Sequence, residues 1–293
     1  MPYQGSKRRL APQILTMMPR GARRLVEPFA GSAAVTLAAA ARNAYDRYVI
    51  ADSFAPLADI WKLILTSPHD LADGYERLWR GQLDNPREAY EAVRKEFNAN
   101  RDPVRLLYLL ARYVKGSVRF NAQGEFNQSP DNRRLGMRPQ IMRREIAGAN
   151  HLLGAGAEAR AADFRETLAD VTSDDVVYMD PPYQGISGGR DRRYFQGVTV
   201  EQLIPQLQEL NRRDVPFLLS YDGSCGERTY GIDLPAELGL AKVSLRAGRS
   251  TQSTLAGRAE ITVESLYLSP AVRSRQFAAS PIIRPNRQMS LGV

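Results

Sequence analysis

Two periodicities alternate along this chain. Short apolar runs closed by an acid read as β-strands: Leu25-Val26 before Glu27, Tyr48-Val49-Ile50-Ala51 before Asp52, and Val176-Val177-Tyr178-Met179 before Asp180. Further strands are predicted over 157–161, 215–219, 241–246 and 261–268, with a helix over 200–213. From 66 to 154 the spacing becomes helical, and 89–97 and 104–113 carry apolar residues at i, i+3 and i+4. The leucine and aromatic stripe there reads as helix-packing core. Residues 121–139, rich in Gly, Asn and Pro, are too irregular for one element, and long structured loops often carry function. The pattern predicts an α/β, Rossmann-like domain built from 1–65 and 155–272. A helical insert occupies 66–154, and a basic tail at 273–293 stays unassigned.

Chemistry concentrates at the strand ends, where ligands of open α/β sheets bind. Asp180-Pro181-Pro182-Tyr183 cannot continue into a helix or pair normally in a sheet. The tetrapeptide therefore presents a carboxylate, a bare carbonyl and an aromatic ring together. That trio suits an exocyclic amine on a flat base: Asp180 and the Pro181 carbonyl accept its N–H bonds and Tyr183 stacks on the ring. After the first strand, Glu27-Pro28-Phe29-Ala30-Gly31-Ser32 makes a tight turn into an Ala-rich helix. Gly31 allows close backbone approach, and the helix start offers free N–H groups. One glycine and no pyrophosphate cradle distinguish it from a dinucleotide fingerprint. Asp52, at the tip of the second strand, is placed to hold ribose hydroxyls.

Charge sharpens this picture. The formal net charge is +8, and residues 101–150 alone hold ten Lys/Arg against four Asp/Glu. Residues 271–293 add Arg273, Arg275, Arg284 and Arg287 with no acid. A basic surplus in one internal block suggests a phosphate-contacting surface, and Phe120, Asn121, Gln123 and Asn127 among its arginines can read base edges. A second basic stretch, Gly188-Gly189-Arg190-Asp191-Arg192, follows the Asp180 corner. The one cysteine, Cys225, excludes an internal disulfide and fits a reducing cytoplasm. Two separated histidines, His69 and His151, give no zinc constellation, and no metal is expected. No apolar run approaches the ~18 residues of a membrane span, so no membrane partner is expected.

Several motifs then occur in a telling order. Tyr3-x-Gly5-x-Lys7-x-x-Leu10, Glu27-Pro28-Phe29-x-Gly31, Asp163-Phe164 and Asp180-Pro181-Pro182-Tyr183 resemble the ordered motifs of Dam-like, group-alpha adenine-N6 DNA methyltransferases. The stretch Arg119-Phe120-Asn121-Ala122-Gln123-Gly124-Glu125-Phe126-Asn127 is similar to that family's Arg-x-Asn-x-x-Gly-x-Phe-Asn. The resemblance runs from Tyr3 to about Leu268. It implies a methyltransferase of the S-adenosylmethionine-dependent fold, with 66–154 as target-recognition insert and double-stranded DNA as substrate. Tyr3, Gly5, Lys7, Glu27, Pro28, Phe29, Gly31, Ser32, Asp52, Asp163, Phe164 and Asp180 are then expected at the donor. DNA contacts are expected from Arg119, Asn121, Asn127, Arg133, Arg134, Arg138, Arg190 and Arg192. The target base would be flipped out to reach the site. A cytoplasmic protein, bacterial or phage-encoded, is implied, with a companion restriction endonuclease possible.

Two alternatives stay open in the residues. Cytosine-N4 enzymes carry out similar chemistry, although they usually begin the tetrapeptide with serine where this chain has Asp180. A catalytically dead DNA-binding scaffold is the other. Cys225 lacks a preceding proline, which speaks against cytosine-C5 chemistry. The continuation Gln128-Ser129-Pro130-Asp131-Asn132-Arg133-Arg134 departs from the Val-Pro-Phe-Gly usual in Dam proteins, so GATC recognition is not implied.

Overall fold

The computed structural model describes residues 6–113, 120–121, 123–131, 133–182, 198–225, 228–230, 234–249 and 261–278. Among the described residues eight strands form one sheet: β1 (Arg24–Glu27), β2 (Arg47–Asp52), β3 (Ala157–Ala161), β4 (Asp175–Met179), β5 (Phe217–Cys225), β6 (Arg228–Tyr230), β7 (Ala241–Arg249) and β8 (Ile261–Leu268). Their order is β3-β2-β1-β4-β5-β8-β7, with β6 paired to β5 off this path. β3, β2, β1, β4 and β5 pair in parallel, whereas β8 and β7 continue antiparallel. The Rossmann-like α/β expectation is met. The chain steps outward from β1 to β2 to β3, then returns to β4 on the other side of β1. The switch point therefore falls between β1 and β4, whose carboxyl ends carry Glu27 and Asp180.

Strand periodicity places the core on both faces. In β4, Val176 and Tyr178 join one apolar cluster while Val177 and Met179 join the other. β5 alternates in the same way, with Leu218 on the first face and Phe217 and Leu219 on the second. The first face is covered by α1 (Ala11–Met17), α2 (Ala34–Ala40) and α3 (Ala55–Thr66), the second by α8 (Phe164–Ala169) and α9 (Val200–Arg212). The strand predicted at 215–219 begins two residues later, because the Val215 N–H is committed to Leu210 at the end of α9. It also runs on to Cys225, through a register shift on β8 between Ser220 and Gly223. The sequence pattern predicts an end at 219, and the irregularity falls within the observed strand, next to Gly223.

Residues 66–154 supply α4 (Pro68–Gly81), α5 (Pro86–Asn100), α6 (Pro103–Arg112) and α7 (Pro139–Leu153). Each opens on a proline, whose fixed φ and missing N–H cost nothing at the first helical position. Asn85 and Asp102 cap α5 and α6 by accepting from Glu88 and Arg105 N–H. These helices share one apolar cluster with α2 and α3, through residues such as Leu57, Trp61, Tyr75, Phe97 and Leu107. The last helix, α10 (Pro270–Ala278), takes in the first residues of the expected basic tail, and its Arg275 pairs with Asp214 at 3.4 Å.

The described residues between α6 and α7 are held at several points along their backbone. Tyr90 Oη donates to Gln128 O (2.8 Å), Tyr75 Oη to Met137 O (2.6 Å) and Gln82 Nε2 to Leu135 O (3.0 Å). Buried Arg112 donates to Asp131 O (3.0 Å), to Arg134 O and to Pro86 O (3.3 Å). Gly136 has φ +81°, and a Cβ there would stand 2.8 Å from Ala111 O, so both conformation and space require glycine.

Candidate active site

Three distant segments meet at the switch point. Lys7, in a short 3₁₀ turn before α1, is 9% exposed, and its Nζ lies 2.9 Å from Asp180 Oδ1 and 3.2 Å from Glu264 Oε2. Asp180 directly follows β4, and Glu264 projects from β8. The Glu264 contact is one of charge alone: its Oε2 is buried and receives no hydrogen bond. Beneath Asp180, the buried Tyr178 hydroxyl pairs with Ser220 Oγ at 2.8 Å. Pro181 is buried and Pro182 half-buried.

Beside them, Glu27 is fully enclosed and accepts from the Thr36 N–H (3.0 Å) and from the Thr36 hydroxyl. Burial pushes its carboxyl up to about 7; the Thr36 hydrogen bonds oppose the rise and the Asp180 charge adds to it. A carboxyl raised by folding contributes stability that is complete below its unfolded value and disappears as pH rises through about 7. Glu27→Gln has no such loss. Relative to wild type, the variant should therefore gain about 2 kcal/mol between pH 5 and pH 8 in denaturant titrations. A difference that stays constant with pH would contradict this burial.

The turn after β1 is braced by the next strand. Asp52 Oδ2 accepts from Gly31 N–H (3.1 Å) and its Oδ1 from Phe54 N–H (2.9 Å), while Trp61 Nε1 donates to Gly31 O (2.9 Å). Burial raises the Asp52 carboxyl to about 6 against those two backbone hydrogen bonds. Gly31 has φ +49° and Ala33 φ +47°, so the turn into α2 holds two successive left-handed positions with one residue between. The Ser32 hydroxyl donates to Ser6 Oγ at 2.9 Å, fastening the Lys7 segment to this turn.

Phe29 and Phe164 lie tilted against each other, 5.1 Å between ring centroids, and the Arg165 guanidinium sits 5.7 Å above the Phe164 ring. Asp163 caps α8 and accepts from Arg165 N–H (2.9 Å) and Nε (2.7 Å). Burial pushes the Asp163 carboxyl up, but the Arg165 hydrogen bonds and charge outweigh it and hold the group below the usual range. Its sequence context suggests a strand end; its structure is a helix cap already joined to an arginine.

The structure thus gathers Lys7, Glu27, Pro28, Phe29, Gly31, Ser32, Asp52, Asp163, Phe164, Asp180, Pro181 and Pro182 around the carboxyl ends of β1, β2, β3 and β4. Of the expected DNA-contacting residues, Asn127, Arg133, Arg134 and Arg138 are exposed. The Asn121 side chain instead closes a local turn, bonding Gln123 N–H (3.0 Å), Glu125 N–H (2.9 Å) and the Glu125 carboxylate (2.7 Å). Tyr3, Gly5, Arg119, Tyr183, Arg190 and Arg192 lie outside the described residues. Sequence reasoning misses Glu264, although one acid in the apolar run of β8 is a signal, and it misses Thr36, the partner of Glu27. No metal-ligating cluster occurs among the described residues, and none of their helices is long and apolar enough to cross a membrane.

Residues 3–237 match the family described as D12 class N6 adenine-specific DNA methyltransferase. The Retron Ec67 DNA adenine methylase of Escherichia coli is 32% identical over 193 residues, 64% of this chain and 64% of that protein. A DNA adenine methylase of Vibrio cholerae is 31% identical, over 63% of this chain and 65% of its own. One from Haemophilus influenzae is 27% identical, over 62% of each. The chain spans slightly less than two thirds of the length of these curated relatives. With the match running from the Lys7 turn past the Asp180 corner, the chain belongs to the family of D12 class N6 adenine-specific DNA methyltransferases.

Proposed function

We propose that this chain transfers a methyl group from S-adenosylmethionine to N6 of adenine in double-stranded DNA. The observation that carries the reading is Asp180-Pro181, set at the switch point with the acid held at 2.9 Å by a buried lysine. Adenine N6 is a weak nucleophile, because its lone pair is delocalised into the ring. Asp180 Oδ2 and the Pro181 carbonyl would accept its two N–H bonds, drawing the nitrogen toward tetrahedral geometry and aiming the lone pair. Their contacts strengthen as charge develops, so they act on the transition state more than on binding. The base has to leave the duplex to reach them, and Tyr183 would offer it a stacking face.

The donor fits the residues present. Asp52 keeps lone pairs beyond its two backbone bonds for ribose hydroxyls, Gly31 leaves room for close approach, and Phe29 with Phe164 forms an aromatic shelf. When bound, the donor supplies an electrophilic methyl group on a sulfonium centre. Asp52→Asn should weaken S-adenosylmethionine binding by about 1–3 kcal/mol, as expected for a lost charge-assisted hydrogen bond. Calorimetry with unchanged affinity would reject this assignment.

Residues 66–154 act, in this reading, as the target-recognition insert within a discontinuous catalytic domain. Arg133, Arg134 and Arg138 are exposed and make no ion pair among the described residues, which suits phosphate contact. The setting is proposed to be the cytoplasm of a bacterium or of a phage host. The deciding experiment is reaction with unmethylated duplex DNA, followed by digestion and mass spectrometry of the nucleosides. N6-methyladenine is expected. N4-methylcytosine in its place, or no methylated base, would overturn the proposal.

A further inference from the structure

Glu264 is out of character for its strand. Leu266 and Leu268 on β8 are buried in the core, and Glu264 pairs across the sheet with Gly223 on β5 and Leu245 on β7. The side chain is 26% exposed, but its Oε2 is enclosed without a hydrogen bond, and an ammonium shared with another acid offsets that only partly. An apolar residue would suit β8 better. A break with the local pattern that opposes stability is expected where function requires it.

Its place supplies the requirement. Lys7 Nζ stands between Asp180 Oδ1 at 2.9 Å and Glu264 Oε2 at 3.2 Å, with the lysine almost fully enclosed. Were Lys7 to face Asp180 alone, the whole ammonium charge would fall on the acceptor that has to draw on the target amine. A second carboxylate on the far side divides that pull. We propose that Glu264 is a positioning residue that holds the Lys7 ammonium off centre from Asp180, so that Asp180 keeps a strongly accepting oxygen for the exocyclic amine. This rests on the methyltransferase reading above. Glu264 touches neither substrate in this scheme and acts through Lys7 on the transition state. Its loss should therefore appear in the rate of transfer and not in substrate affinity.

The test is a double-mutant cycle on the full chain with duplex DNA and S-adenosylmethionine, read as single-turnover methyl transfer at saturating concentrations. Glu264→Gln should slow transfer at least tenfold while donor and DNA affinities stay within threefold. In a Lys7→Met background the ammonium that links Glu264 to Asp180 is gone, so Glu264→Gln should there cost nothing or recover rate. That change of sign is one that a purely structural glutamate would not produce, and thermal melting of the four proteins checks folding separately. A Glu264→Gln protein within twofold of wild type overturns the inference, as does an equal fold loss in both backgrounds. A wild-type chain that methylates no DNA would instead overturn the proposed function itself.

Discussion

Asp180→Ala is expected to slow methyl transfer by about 10²–10³-fold or more, with donor and DNA affinities within a few-fold of wild type. Several features separate chemistry from folding at this position. β4 is held on both sides by β1 and β5, and its packing comes from Val176, Val177, Tyr178 and Met179, all of which precede the acid. Removing the carboxylate does not strand Lys7 without a counter-charge, because Glu264 remains 3.2 Å away. The variant should therefore fold and bind while lacking the acceptor that matters at the transition state. Single-turnover assays with radiolabelled donor give the rate, and calorimetry gives the affinities. A variant retaining more than about a tenth of the wild-type rate would remove Asp180 from the chemistry.

Arg112→Met should destabilise the fold by about 3 kcal/mol, as expected when several carbonyls lose a charged donor. Arg112 is 2% exposed and donates to Asp131 O, Arg134 O and Pro86 O, with its guanidinium 5.9 Å from the centroid of the Tyr90 ring. Methionine can fill most of the volume but offers no donor. Three part-buried carbonyls would lose their partner, each at about 1–3 kcal/mol before water enters to compensate. Arg112→Lys should fall between, since an ammonium cannot reproduce the planar fork that spans α5 and the segment after α6. Urea denaturation measures both variants, and a loss under 1 kcal/mol for Arg112→Met would show that water or neighbouring groups replace the arginine.

How much of this is legible in sequence depends on the range over which each feature is encoded. The strands carrying Glu27, Asp52 and Asp180 are legible because a short continuous apolar run and a closing acid lie within six residues. The helices of the insert are legible from Pro68, Pro86, Pro103 and Pro139 together with their apolar spacing. The end of β5 is not, because Asp222-Gly223 has turn chemistry and only pairing with β6 and β8 keeps the chain extended. The motif Asp163-Phe164 marks the right place, but that Asp163 spends its carboxylate on Arg165 and on capping α8 appears only once the backbone is in view. Lys7 shows the same limit: a basic N-terminal stretch looks solvated until acids 173 and 257 residues away close around it (180 − 7 and 264 − 7).

The anchors along the segment between α6 and α7 have one property in common. Arg101, Asn98, Tyr90, Arg112, Gln82 and Tyr75 grip the oxygens of Gly124, Phe126, Gln128, Asp131, Arg134, Leu135 and Met137, which are all main-chain carbonyls. Every residue type carries that oxygen, so away from Gly136 and the buried Phe120 and Phe126 these anchors do not depend on which side chain the segment displays. Gln128, Ser129, Arg133 and Arg134 can therefore be exchanged with little structural penalty, each exchange presenting a new surface on an unchanged frame. Such a segment has the properties of an interchangeable cassette: its exposed side chains can change while the carbonyls that hold its backbone stay in place.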